Sequence, residues 1–278
     1  DALRASGRLR AAMDAYDEAL ALGGPDTERA RVLCAAAGCA IELGDIATAL
    51  PDLLAGVAAL PQGEPLWAEM MALAAEASAA QGDLAGARLR LDDLSTFAEE
   101  ARDHGAALLG DIVSATIDAR PAAEAVKHWR GLYARAQKLN RPASAANGAT
   151  HLAHALLDQG DMAEAGAFAD ELAHHAERSE NPDLDIVAGG LRASVLSRSG
   201  DAPAAARVAA EALQPLRALE SRALLGPSLA MRVLAQVGAD AETRDAAIAW
   251  LEAGPCRPAL PHDAERLRRA LLAGLKGR

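Results

Sequence analysis

The group of polar residues that could best carry out chemistry consists of two histidines and an aspartate, His151, His154 and Asp158. They lie at positions i, i+3 and i+7 of one predicted helix, so they share a face. Imidazoles at this spacing can bind a metal ion, but no third and fourth ligand is evident. A solvated helix face is the preferred interpretation, and the sequence therefore predicts no metal site and no cofactor.

Signatures of catalysis and nucleotide binding do not occur in the sequence. It has no Walker phosphate loop, no G-x-S-x-G elbow, no H-E-x-x-H helix, no dinucleotide fingerprint and no helix-turn-helix near the C-terminus. Because no nucleophile can be paired with a base, the prediction is a protein that is not an enzyme. Cys34, Cys39 and Cys256 are an odd number without metal-ligand spacing, and indicate buried thiols in a reducing cytoplasm.

The composition favours helices and excludes some classes of partner. Hydrophobic residues make up 51% of the chain but aromatic residues only 3%, so the core must consist of alanine and leucine, and alanine is the best helix former. No run of alternating β-branched residues predicts a strand. The net charge of −11 argues against direct binding of nucleic acid. No apolar run reaches the roughly 18 residues of a membrane span, so a cytoplasmic protein is expected.

The elements that must position the polar residues repeat along the sequence. One pattern of three residues, which we call the phrase, recurs. It consists of a small residue, a large residue four positions later, and a small or apolar residue three positions after that. This spacing marks one face of a helix. It begins at Ala12, Ala49, Ala87, Ala125, Ala165, Ala205 and Ala246, which are 37, 38, 38, 40, 40 and 41 residues apart. A period in this range predicts a stack of helical repeats.

A turn precedes the phrase at a fixed distance. Four of these turns are a glycine followed by an aspartate: Gly44-Asp45, Gly82-Asp83, Gly160-Asp161 and Gly200-Asp201. The glycine is predicted to end one helix and the aspartate to cap the next. In two repeats the pair is replaced, by Arg120-Pro121 and by Ala241-Glu242. Pro227 is predicted to kink a helix or to define its start. The predicted helices cover about 8–22, 27–43, 46–60, 66–81, 83–98, 105–118, 121–138, 143–158, 161–177, 183–198, 202–219, 242–253 and 262–275.

A third recurring position lies seven residues before each turn, at Ala37, Ala75, Val113, Ala153, Ala193 and Leu234. Small residues here let paired helices approach closely. The phrase Gly7, Ala12, Tyr16, Ala19 and Leu20 resembles the second helix of the tetratricopeptide (TPR) motif, and the resemblance extends over nearly the whole chain, although the period exceeds the usual 34 residues. Such stretched repeats resemble those of large bacterial transcriptional regulators of the maltotriose-responsive activator type, where TPR-like helices lie between an ATPase and a DNA-binding domain.

The resemblance implies an all-α fold, a right-handed α-solenoid of about seven antiparallel helix pairs over residues 1–254. A proline-rich loop and a C-terminal capping helix are expected over 255–278. In this helix Leu267, Leu271 and Leu275 form one stripe. Because the sequence begins at Asp1, a few residues before the first turn, a fragment of a larger protein is expected.

The resemblance also assigns a concave groove to the first helix of each pair, at positions about two, three, six, nine and ten residues before the turn. These positions are mostly polar, and many are acidic. They are Arg31, Glu42, Glu69, Glu76, Asp111, Ser114, Asp118, Thr150, His151, His154, Asp158, Ser194, Ser197, Arg198, Ser228 and Arg232. They predict a groove that binds a peptide, a basic protein segment or a polar small molecule, and the open alternative is a solvated inner face without a ligand.

These features predict a non-enzymatic ligand- or protein-binding scaffold, the sensor or interaction segment of a larger bacterial regulator. The alternative is self-assembly, in which the stripe of the C-terminal helix packs on a second copy or on a neighbouring domain.

Overall fold

The structure is a computed structural model that describes residues 2–5, 7–61, 64–118, 120–179, 181–217, 220–253 and 264–277. Within these ranges the chain forms α-helices and one 3-10 helix and no β-strand, so the all-α prediction is confirmed. No helix in the described part of the chain is both long enough and apolar enough to cross a membrane. The predicted proline-rich loop over 255–261, with Cys256, lies outside the described residues.

The helices follow the predicted ones closely, with ends that differ by one to three residues in most cases. Their bounds are α1 Ala2–Ala5, α2 Leu9–Leu22, α3 Asp26–Leu43, α4 Ile46–Ala59, α5 Pro65–Ala80, α6 Leu84–Ala101, α7 His104–Ile117, α8 Ala122–Lys138, α9 Pro142–Gln159, α10 Met162–Ser179, α11 Pro182–Arg198, α12 Ala202–Leu213, α13 Leu225–Val237, α14 Ala241–Glu252 and α15 Ala264–Lys276. Consecutive helices pack against each other along most of the chain, as in a helical repeat.

Prolines explain two departures from the predicted helices. The helix predicted over 202–219 ends at Leu213 and continues as a 3-10 helix over Gln214–Arg217, because Pro215 lacks an amide proton and restrains the residue before it. Pro227 does not kink α13. It is the third residue of that helix, in the first turn, where its missing N–H leaves no bond unmade, so it helps to define the start.

The glycine–aspartate turns have the predicted chemistry. Gly44, Gly82, Gly160 and Gly200 have φ between +82° and +92°, the left-handed conformation that ends a helix. The aspartate that follows each glycine accepts a hydrogen bond from a backbone N–H three residues on, at 2.8–3.3 Å. The last turn differs from its prediction, because Asp240, not the pair Ala241-Glu242, caps α14 by accepting from the N–H of Thr243.

The recurring alanines form the contacts between helices. Ala49, Ala87, Ala165 and Ala205 are completely buried, and all six residues at the facing position, from Ala37 to Leu234, are buried as well. Ala125 and Ala246 are only half-buried, which corrects the predicted register at these two places. In α14 the buried residue is Ala247, seven residues after the capping aspartate. In α4, α6, α10 and α12 the buried residue is four after the capping aspartate, and a further step of three keeps the same helix face.

The core is a series of clusters that share helices rather than one central globule. One cluster joins α3 to α7, a second joins α7 to α11 and includes Leu229 of α13, and a third joins α11 to α15. First helices also lie side by side, most closely where α11 meets α13. There a Cβ on Gly190 would stand 2.9 Å from the Leu229 Cβ, and one on Gly226 would stand 3.0 Å from the Val187 backbone nitrogen. Only glycine permits so close an approach of two helices.

The C-terminal helix α15 packs its leucine stripe against the helices that precede it. Leu271 and Leu275 are 3% and 2% exposed, and Leu267 packs against the same cluster. Lys276 pairs with Glu252 of α14 at 2.6 Å, and α15 packs against both α13 and α14. The stripe on which the self-assembly alternative rested is therefore used within the chain. Self-assembly stays a prediction, and sedimentation at high concentration tests it.

A segment near the C-terminal end of the array contacts its beginning. We call this segment, Glu220–Arg222, the seam. The N–H of Arg222 donates to the carbonyl oxygen of Glu42, in the last turn of α3, at 2.7 Å. A carboxylate oxygen of Glu220 accepts from the N–H of Arg10, in the first turn of α2, at 2.8 Å. The α2 helix lacks a side-chain cap from its own N-cap residue, and Glu220 supplies one from 210 residues away.

The seam is anchored on its other side by the Arg222 side chain. Its guanidinium lies 4.2 Å above the centre of the Trp250 ring and donates to the Trp250 carbonyl oxygen at 2.7 Å. A cation over an indole face and a hydrogen bond to a helix carbonyl both favour this position. The seam thus contacts α2 and α3 on one side and α14 on the other.

Removal of the seam carboxylate is expected to loosen the start of α2. A capping interaction contributes about 1 kcal/mol, so Glu220→Ala should accelerate hydrogen exchange at the Arg10 amide about fivefold. Glu211→Ala, which removes an exposed carboxylate in α12, should leave that amide unchanged. Exchange measured by NMR decides the matter, and equal rates at Arg10 in wild type and Glu220→Ala would show that the seam does not form in solution.

Candidate functional site

The predicted groove residues lie on α3, α5, α7, α9, α11 and α13, which contact one another in this order, except Asp118, which follows the last residue of α7 as its C-cap. Their exposure divides them into three groups. Arg31, Glu69, Asp111, Asp158, Arg198 and Arg232 are exposed, and Glu42, Glu76, Ser114, Asp118, His151, His154 and Ser197 are half-buried. Thr150, Ser194 and Ser228 are buried.

The hydroxyls of the three buried residues bond within their own helices, so they are satisfied without a ligand. Thr150 donates to the Ala146 carbonyl and Ser194 to the Gly190 carbonyl, each one helical turn back, at 2.9 and 2.8 Å. Ser228 donates to the Leu225 carbonyl in the same way. A hydroxyl that bonds its own helix is satisfied without a ligand, and at these positions it also lies among packed helices. The sequence could not distinguish this arrangement from an exposed hydroxyl.

Four of the predicted acidic residues are paired with arginines. The pairs are Glu42 with Arg4, Asp111 with Arg135, Asp118 with Arg88 and Arg120, and Asp158 with Arg198. Such partly exposed pairs contribute little to stability, but they cancel the charge that a groove would present to a cationic ligand. The acidic residues among the predicted groove positions are thus charge-compensated at these four places, and the predicted groove itself stays a prediction.

An aromatic partner fixes the orientation of His151. Its ring stacks on Trp129 of α8, with the ring centres 4.3 Å apart and the planes at 11°. Trp129 is buried and also belongs to the core between α8 and α9. The repeat pattern identified Trp129 as the large residue of its phrase. The repeat pattern does not indicate that the indole also contacts His151, because this contact depends on how α8 packs against α9.

His154, one turn further along α9, is held in an unusual electrostatic environment. Although the residue as a whole is half-buried, its Nε2 atom has no contact with solvent and no hydrogen-bond partner among the described residues. Burial is the main cause that lowers the pKa of His154 to about 3, and His151, Arg232 and Arg198 lower it further. The imidazole is therefore neutral at pH 7. Of these two arginines, Arg198 lies beside α9, where its guanidinium is 3.6 Å from the Asp158 carboxylate.

The arrangement does not resemble a metal centre. His151 is stacked on Trp129, and the Asp158 carboxylate lies 3.6 Å from the Arg198 guanidinium. Across the described ranges, no three side chains among histidine, cysteine, aspartate and glutamate come together as a metal would require. The described cysteines are also poor ligands or nucleophiles, because Cys39 is buried and burial raises the pKa of Cys34 to about 11.

A cleft that the sequence did not predict lies between α8 and α10. It has a volume of 710 Å³, and its lining includes Ala123 and Gly131. Two further lining residues form an ion pair, in which the Arg130 Nη2 group donates to both carboxylate oxygens of Glu164 at 2.7 Å. None of the predicted groove residues lines this cleft.

The fold and these contacts define a class of protein: an all-α chain whose consecutive helices pack as in a helical repeat, with polar residues along its first helices. Comparison with protein-family models returns no match, and no curated protein matches the chain.

Proposed function

We propose that this chain is a non-enzymatic binding scaffold of the TPR-like superfamily, a right-handed α-solenoid of about seven helix pairs whose inner face binds a ligand or a partner protein. The period, the Gly-Asp turns and the buried alanines support the repeat architecture. In a repeat array the stacked first helices form one extended surface, which such proteins use for binding. The resemblance to large bacterial transcriptional regulators suggests that the scaffold is a cytoplasmic sensor or interaction segment of such a protein.

One observation favours a binding face over a merely solvated one. A neutral histidine with a buried, unpartnered nitrogen lies on the first-helix face, and arginines from two other first helices act on it. Buried polar atoms in proteins are nearly always hydrogen-bonded, and an unpaired one costs free energy. Such a cost is typical of a site that is arranged for function rather than for stability.

The experiment uses two sets of defined probes. Phage display of random dodecapeptides tests peptide binding, and thermal shift with amino acids, hexoses and nucleoside monophosphates tests small ligands. We expect at least one probe to bind the wild type and to bind the double variant Asp111→Asn, His154→Gln at least fivefold more weakly in calorimetry. Arg207→Gln, on the exposed face of α12, is the matched control and should bind as the wild type does. The proposal is wrong if no probe binds, or if every probe binds the wild type and the double variant equally.

A further inference from the structure

The size of the side chains decides where the space between α8 and α10 is filled. Tyr133 of α8 and Phe168 of α10 pack edge to face with their ring centres 5.3 Å apart, and the Tyr133 hydroxyl donates to Glu171 at 2.5 Å. The 710 Å³ cleft is lined instead by small residues of α8, among them Ala123 and Gly131. A Cβ on Gly131 would meet no other atom within 4 Å. The cleft is therefore space that these small residues leave unfilled.

Four charged residues line the cleft, and two of them pair with each other. Arg130 donates to both carboxylate oxygens of Glu164, whereas Lys127 and Asp161 are exposed and form no ion pair with any described residue. Asp161 caps α10 through its Oδ1 atom, which accepts from the Glu164 N–H at 3.1 Å, so its Oδ2 atom remains available. The cleft thus offers one unpaired cation and one unpaired anion, and its lining has no net charge.

Apolar residues make up the other half of the lining. Val126 of α8 and Leu156 of α9 are buried residues at the edge of the core, and Ala134 is exposed beside them. Gln159 adds an exposed side-chain amide that has no hydrogen-bond partner among the described residues. Clefts of about 300–1,000 Å³ in which apolar residues are combined with a few polar groups are typical of sites for small molecules.

We infer that this cleft binds a small zwitterion with an apolar side chain, such as a free neutral amino acid. Lys127 binds the carboxylate, Asp161 binds the ammonium group, and the apolar side chain contacts Val126 and Leu156. Hydrogen bonds between charged partners are stronger than neutral ones, so both ends of the ligand contribute to affinity. A ligand with only one charge leaves either Lys127 or Asp161 without a partner, and the cleft therefore prefers the zwitterion.

This site is additional to the proposed function, because none of the predicted groove residues lines the cleft. NMR titration of the whole chain with L-valine, L-leucine and L-phenylalanine tests it, with the backbone amide signals of Arg130 and Glu164 as the readout. We expect a saturable shift with at least one of the three. The analogue of that amino acid without its ammonium group, and the analogue without its carboxylate, should each bind about tenfold more weakly, because each loses one charge-assisted contact.

Gly131→Leu fills the cleft without a cost to the fold. Leucine is a better helix former than glycine, and the space beside Gly131 is open, so the variant should be at least as stable as the wild type and bind about tenfold more weakly. Gly166→Leu is the matched control. Gly166 lies in α10, has equally open space beside it and does not line the cleft, so this variant should bind as the wild type does.

Two further variants each remove one of the unpaired charges. Lys127→Gln and Asp161→Asn should each bind the amino acid about tenfold more weakly, and the asparagine still caps α10. The inference is overturned if none of the three amino acids gives a saturable shift, or if the analogues with a single charge bind as tightly as the zwitterion. It is also overturned if Gly131→Leu, or both charge variants, bind as the wild type does. Circular dichroism confirms that each variant is folded.

The same variants separate this cleft from the inner face of the proposed function. A ligand of the cleft binds the double variant Asp111→Asn, His154→Gln as it binds the wild type, because neither residue lines the cleft. A ligand of the inner face binds Gly131→Leu as it binds the wild type. Failure of one site is thus distinguishable from failure of the other.

Discussion

Ala49→Leu is expected to lower the free energy of unfolding by about 1–3 kcal/mol, because the helix contact around Ala49 has no room for three more carbons. Ala49 is completely buried in α4 and faces the core shared by α3 to α7. Overpacking there must displace α4 from α3 or force side chains out of their preferred rotamers. Urea denaturation followed by circular dichroism measures the change.

The matched control makes the same substitution six residues further along the same helix. Ala55 is exposed, so Ala55→Leu should change the free energy of unfolding by less than about 0.5 kcal/mol. Glu99→Leu, on an exposed position of α6, provides a second control. If Ala49→Leu and Ala55→Leu destabilise the protein equally, the alanine contact does not set the distance between the helices, and the register of the repeat is wrong.

The fold could be predicted in detail because its determinants are local. At Gly44-Asp45 and Gly200-Asp201 the two residues that form the turn are adjacent in the sequence. The glycine adopts a positive φ, and the aspartate caps the next helix. The packing is also nearly local, because each helix contacts its neighbours along the chain. The predicted register fails at Ala246, where the capping residue is Asp240 and a glycine-aspartate pair is missing.

The candidate site was predicted less well, because a pattern within one helix does not tell which side chains of other helices surround it. Polar residues at groove positions were found, but Thr150 and Ser194 bond their own helices. The pair of Asp158 with Arg198 could have been inferred, since both residues lie two positions before a turn glycine in successive repeats. The seam could not be inferred, because Glu220 and Arg10 are 210 residues apart and no repeat position relates them.

Glu42, a predicted groove residue, makes two contacts within the chain. It is paired with Arg4 through its side chain, and its carbonyl oxygen accepts from the seam. Its position on α3 therefore contributes to the contact between the two ends of the described helices.

Acidification should destabilise the wild type more than a variant without His154. In the unfolded chain a histidine has a pKa of about 6.5, whereas in the folded protein the pKa of His154 is about 3. Between these values the unfolded state binds a proton that the folded state does not, so the stability that is present above pH 6.5 is lost as the pH falls. From pH 7.5 to pH 5 this loss should reach about 1–2 kcal/mol, allowing for the partial exposure of the residue.

The comparison with His154→Gln isolates this effect, because all other titrating groups are common to both proteins. Urea unfolding at pH 7.5 and pH 5.0 should show that the wild type loses about 1–2 kcal/mol more than His154→Gln over this interval. His174→Gln removes an exposed histidine on α10 and should follow the wild type at both pH values. Equal losses in wild type and His154→Gln would mean that the imidazole is solvated in the folded protein.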